Sequence, residues 1–136
     1  MTARPAWILL AIAALALPAA AAGNVEVTAV GTNGSGTQPA CELTFTAENR
    51  MDRKITALIV EYTAVHAQTG KPLSGSLGSA PIGGIEPGAK RVLQAGSAQG
   101  ALCNQVRLKI TSTQCVTRGC QLGFAHRGVA GFAATP

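Results

Sequence analysis

The chain has 136 residues, 12% charged and 47% hydrophobic, a balance that excludes a disordered polyelectrolyte and leaves room for one domain core. Six carboxylates and two histidines are few for acid–base or metal chemistry, and a formal charge of +5 makes the chain basic. Aromatic residues make up only 4%, so Val, Leu, Ile and Ala must fill the interior.

Residues 1–22 read as a cleavable secretory signal peptide. Arg4 precedes the apolar run Trp7–Leu17, Pro18 breaks it, and Ala19–Ala22 lead into Gly23. The run is about eleven residues, short of the ~20 that span a bilayer. Cleavage is expected after Ala22, where small residues satisfy the peptidase. A lipid anchor would need a cysteine at that point, and the first is Cys41. The expectation is therefore an exported protein, periplasmic or secreted, with no stable membrane insertion after cleavage. Arg4 leaves with the leader and takes one unit off the formal charge.

In the remainder, Val25, Val27 and Ala29 alternate with Glu26 and Thr28, a half-buried strand, and residues 31–37 (GTNGSGT) break it. Cys41, Leu43, Phe45 and Ala47 then face away from Glu42, Thr44, Thr46 and Glu48, the cleanest alternation in the chain. A turn at 49–53 leads to Ile55–Val65, whose β-branched residues suit a long central strand that 68–72 closes. Residues 73–88 hold so many Gly, Ser and Pro that only short edge strands or an irregular crossover fit. Pro87 and Gly88 turn the chain into a strand at Arg91–Leu93. Leu102–Thr113 alternates again, and Cys120, Leu122 and Phe124 close the pattern before a flexible tail over 127–136. About seven short strands without a helical stripe predict one all-β domain over 23–126, an antiparallel immunoglobulin-like β-sandwich.

Four cysteines in an exported domain favour two disulfides. Cys115 and Cys120 bracket a four-residue hairpin loop and pair with each other, which leaves Cys41 with Cys103. Strict alternation puts Cys103 on the Arg107 face, so a bulge near Asn104 or an early strand start is needed to turn it inward. A redox pair would want two residues between its cysteines, and zinc would need two more ligands near Cys115 and Cys120.

Chemistry is thin elsewhere. A copper carrier would gather His66, His126 and Met51 into one cluster; scattered, each reads as an ordinary residue. No nucleophile elbow is present, and Glu42 and Glu48 share a strand face but lie about 20 Å apart, too far for a glycosidase pair. The glycines at 31–36 and 83–84 open no helix, so no phosphate cradle is expected. Asn33, Gly34 and Ser35 match a glycosylation acceptor. From Ala89 onward six basic residues (Lys90, Arg91, Arg107, Lys109, Arg118, Arg127) meet no acid. No aromatic residues interleave with them, and export argues against nucleic acid as partner.

Within residues 43–93, the stretches LTFTAEN, ITALIVEYTAVHAQTGKPL and IEPGAKRVL resemble the bacterial exported FxLYD-type immunoglobulin/fibronectin-III-like domains. The chain departs from them in having Gln68, Thr69 and Gly70 where Tyr-Asp precedes the turn, and in its four cysteines. The resemblance implies a β-sandwich in an exported setting and carries over no functional residue. The expected function is a non-enzymatic protein-binding or structural module without cofactor or metal, its partner an unidentified protein added to an edge strand within 73–93. The alternative is a periplasmic metal (copper) or small-ligand carrier.

Overall fold

The protein is described here by a computed structural model that covers residues 23–73, 78–79 and 82–133. The leader expected at 1–22 lies outside the described residues.

Alternating side chains make the first strands. In β1 (Val25–Asn33) Val25, Val27 and Ala29 are fully buried, and β2 (Ala40–Asn49) lies antiparallel to it from Val25 opposite Asn49 to Asn33 opposite Cys41. The third strand, β3 (Ile55–His66), buries Ile55, Leu58, Val60, Tyr62 and Ala64. Two short strands, β4 (Gly78–Ser79) and β5 (Ile82–Ile85), pair along its edge, and β6 (Lys90–Gln99) pairs with β2. One turn of 3-10 helix (Cys103–Gln105) leads into β7 (Val106–Val116), followed by β8 (Leu122–Arg127) and β9 (Gly131–Phe132).

Two sheets result, one in the order β6, β2, β1, β8 and the other β4, β3, β7, β9 with β5 also on β3. The protein is all-β, and the sheets pack face to face. Their join is aromatic at one point: the rings of Phe45 on β2 and Tyr62 on β3 lie 4.5 Å apart. Full burial of a side chain such as Phe45 contributes about 1.5–3 kcal/mol. Burial also pushes the Tyr62 phenol pKa up.

The structure departs from the sequence reading in several places, each for a local reason. The loop expected from Gly31 starts later, because β1 runs on to Asn33. Gly31 serves close approach: a Cβ there would lie 2.6 Å from Val129 Cγ1 and 3.0 and 3.1 Å from the sulfurs of Cys103 and Cys41. The strand expected at Leu102–Thr113 begins at Val106 and runs to Val116, with Cys103 in the 3-10 turn ahead of it. Off the strand's alternation, Cys103 turns inward without a bulge and is 3% exposed. The strand expected at Arg91–Leu93 extends over Lys90–Gln99.

Strand direction also differs. After Cys120 the chain crosses to the opposite sheet, so β8 runs parallel to β1 and β9 parallel to β7. Alternation records which side chains face inward and not which strand lies alongside. Finally, the segment expected as a tail from Arg127 is built in as far as Ala133. Val129 is 8% exposed, and the Ala130 and Ala133 amides donate to the Val106 and Leu108 carbonyls at 2.8 Å. A two-residue strand is too short to leave a periodic signal. Residues 134–136 lie outside the described residues.

Candidate binding edge

The residues that carried chemical expectations end on separate elements. His66 closes β3, where its Nδ1 accepts from the Gln68 amide at 3.2 Å. His126 is exposed on β8, opposite Ala29, with its ring 5.6 Å from that of Phe132. Met51 sits in the turn after β2, and its amide donates to Asn49 Oδ1 at 2.9 Å. Among the described residues, no three His, Cys, Asp or Glu side chains converge as a metal site. The sulfurs are bonded Cys41 to Cys103 and Cys115 to Cys120.

Four of the six carboxylates are tied to cations. Glu26 and Glu48 face each other across β1 and β2, and Arg50 bridges them at 3.0 and 2.8 Å while Lys90 reaches Glu48 at 3.3 Å. Hydrogen bonds from Arg50 and Lys90 hold the Glu48 carboxyl below the usual carboxylate range, and Glu48 in turn raises the Arg50 pKa. A carboxylate kept ionised in this way is a poor proton donor near neutrality. Asp52 meets Arg53 at 3.7 Å and Glu86 meets Lys54 at 3.4 Å.

These pairs leave charge unevenly distributed. Lys71, Arg107, Lys109, Arg118 and Arg127 have no ion-pair partner among the described residues. Four of the five lie on β7, β8 or the loop joining them.

The backbone is open in the same region. β7 pairs with β3 along Val106–Val116, but on its other side β9 covers only Arg107 and Leu108. From Ile110 to Val116 the outer edge of β7 has no strand beside it among the described residues. Ser112, Thr113 and Gln114 are exposed, as is Val116 at 45%. The loop beyond is held firmly. Asn24 donates to the Gly119 carbonyl and accepts from the Gln121 amide, both at 2.8 Å, and Arg53 Nη1 donates to the Arg118 carbonyl at 3.2 Å. Thr117 Oγ1 donates to the Lys54 carbonyl at 3.1 Å.

Sequence reasoning sought an edge in 73–93, where the structure has β4, β5 and the start of β6. It missed the β7 edge because the pattern of β7 looks like that of any half-buried strand. It also gave no structural role to Asn24, to Asn49, whose Nδ2 donates to the Arg53 and Ile85 carbonyls, or to Asn33, read only as a glycosylation acceptor although its Oδ1 accepts from the Cys103 amide; the one signal of each is a position at or next to a strand end. Comparison with family models, curated proteins and solved structures finds no match to this chain. The fold and the edge together define a class, a disulfide-bonded two-sheet β protein with a strand edge that is unpaired among the described residues.

Proposed function

We propose that the chain is the precursor of an exported, non-enzymatic, immunoglobulin-like β-sandwich domain that acts by binding another protein through strand addition. Export is supported by the three-part composition of residues 1–22 and by two disulfides, which persist in oxidising compartments. The immunoglobulin-like reading is supported by the Cys41–Cys103 bond, which ties β2 of one sheet to the turn that opens β7 of the other.

One observation carries the binding reading: the outer edge of β7 from Ile110 to Val116, which no strand pairs with among the described residues and which can take a further strand. The edge within 73–93 supports it less, since β4 and β5 offer two and four residues. The carrier alternative has no comparable support, because His66, His126 and Met51 lie on separate elements.

The test is retention of a partner from envelope extract on the immobilised domain, with free domain as competitor and hydrogen exchange to map the contact. Saturable, competed retention that slows exchange along a sheet edge supports the reading. A domain that stays monomeric and retains nothing saturable removes it. Copper and zinc titration separates the alternative: micromolar binding would favour a carrier.

A further inference from the structure

Sheet edges in natural proteins are protected by charge, proline, bulges or brevity. β6 carries Lys90, Arg91 and a register shift opposite Phe45, and β8 is six residues long and ends in exposed His126 and Arg127. β7 differs. From Ile110 to Val116 it reads ITSTQCV, with no charge and no proline, and its one register shift lies near Thr111 at the start of that stretch. Ile, Thr and Val suit a strand, and seven residues present an edge about 23 Å long.

The ends of this edge are charged with one sign. Lys109 stands just before it and Arg118 just after it, and neither has an ion-pair partner among the described residues. Arg107, two residues before Lys109 on the same strand, adds to the same sign. This decides the occupant. Two copies paired edge to edge would set basic end against basic end in either direction, and like charges opposite each other destabilise a strand pair. A segment with acidic residues at both ends and neutral β-branched residues between would gain a contact at each end instead. The Cys115–Cys120 bond and the hydrogen bonds of Thr117 and Arg118 fix the far end in advance, which lowers the ordering cost of docking.

We propose that Ile110–Val116 of β7 receives, as an added strand, an extended segment of another protein that is acidic at both ends. The proposal rests on the binding reading above and specifies its site and its partner's chemistry.

The test uses the purified chain and fluorescent octapeptides of alternating Thr and Val, ended at both sides by Asp or by Lys. The Asp-ended peptide binds about tenfold tighter at low salt, from two exposed attractions gained and two repulsions avoided, and the gap narrows as salt rises. Its binding slows hydrogen exchange at 110–116. N-methylation of alternate peptide amides, which removes donors without touching the protein, abolishes binding. In the double variant Lys109→Glu with Arg118→Glu the preference reverses toward the Lys-ended peptide.

Equal binding of the N-methylated peptide, protection at another edge, or no binding of any peptide overturns the proposal. So does protection of 110–116 that rises with protein concentration alone, which would make a second copy the occupant. If the peptides fail while envelope extract still yields a competed partner mapped elsewhere, the proposal falls and the binding reading stands. Failure of both removes both.

Discussion

At the C-terminal end of β1, Asn33 accepts a hydrogen bond from the Cys103 amide at 2.8 Å; beside its N-terminal end, Asn24 holds the Gly119 carbonyl and the Gln121 amide at the same distance. Each asparagine thus ties a disulfide-bearing segment to one strand. The surroundings differ. Cys41 and Cys103 are 0% and 3% exposed and packed against Gly31 and Val129, whereas Cys115 and Cys120 are half-buried beside an open edge. The first bond closes a long loop across the two sheets and the second a short loop within a surface turn. Chemically identical bonds therefore serve different ends, one holding the core and the other shaping a surface.

The largest effect that tests this contrast comes from removing each bond. The sequence separations are 62 and 5 residues. On the chain-entropy model, Cys41→Ala with Cys103→Ala costs roughly 4 kcal/mol and Cys115→Ala with Cys120→Ala roughly 2 kcal/mol. Urea unfolding of both double variants measures the difference, and equal losses would break the comparison. Next is the packing around the first bond. Gly31→Ala forces a methyl against Val129 and two sulfurs and costs about 1–3 kcal/mol by overpacking. At the other end Gly119, with φ of +79° and nothing within 4 Å of an added Cβ, costs about 1 kcal/mol on replacement by Ala, from backbone strain alone. Thermal unfolding separates the two.

The asparagines give a smaller, local effect. Asn33→Ala and Asn24→Ala each remove side-chain hydrogen bonds worth about 1 kcal/mol in total. Hydrogen exchange should quicken at 103–105 in the first variant and at 117–121 in the second. Crossed effects would show that the two ends are not independent.

The all-β class and the inward faces of β1 and β2 were legible, because Val25 to Ala29 and Cys41 to Ala47 alternate as a half-buried strand must, and β3 was legible as a long central strand. What escaped sequence reasoning was longer in range. Nothing in LGFAHR tells that β8 lies against β1 and not against β7, and nothing around Gly131 and Phe132 announces a strand that pairs through two residues. Cys103 was misplaced because period-two counting was carried through a 3-10 turn that has a different period. The edge of β7 is open in that no strand among the described residues lies beside it, and the sequence of a strand does not record which neighbours it has.

The smallest effect concerns acid. The cluster of Glu26, Glu48, Arg50 and Lys90 lies at the Asn24 end of β1, where the Arg50 amide also donates to the Asn24 carbonyl at 2.9 Å. Hydrogen bonds from Arg50 and Lys90 depress the folded-state pKa of Glu48. Its contribution to stability is therefore complete above the unfolded-state value of roughly 4.3 and is lost as pH falls through the lower folded value. Solvent reaches the cluster, which limits the effect to under about 1 kcal/mol. In urea unfolding between pH 7 and 3, the deficit of Glu48→Gln relative to the wild-type chain should shrink as pH falls. Glu42, opposite Thr32 and without an ion-pair partner among the described residues, supplies the comparison at the Asn33 end, where Gln substitution should cost less at pH 7. An acid limb carried equally by both glutamates would mean that charge does not distinguish the two ends of β1, leaving packing and disulfide placement alone to do so.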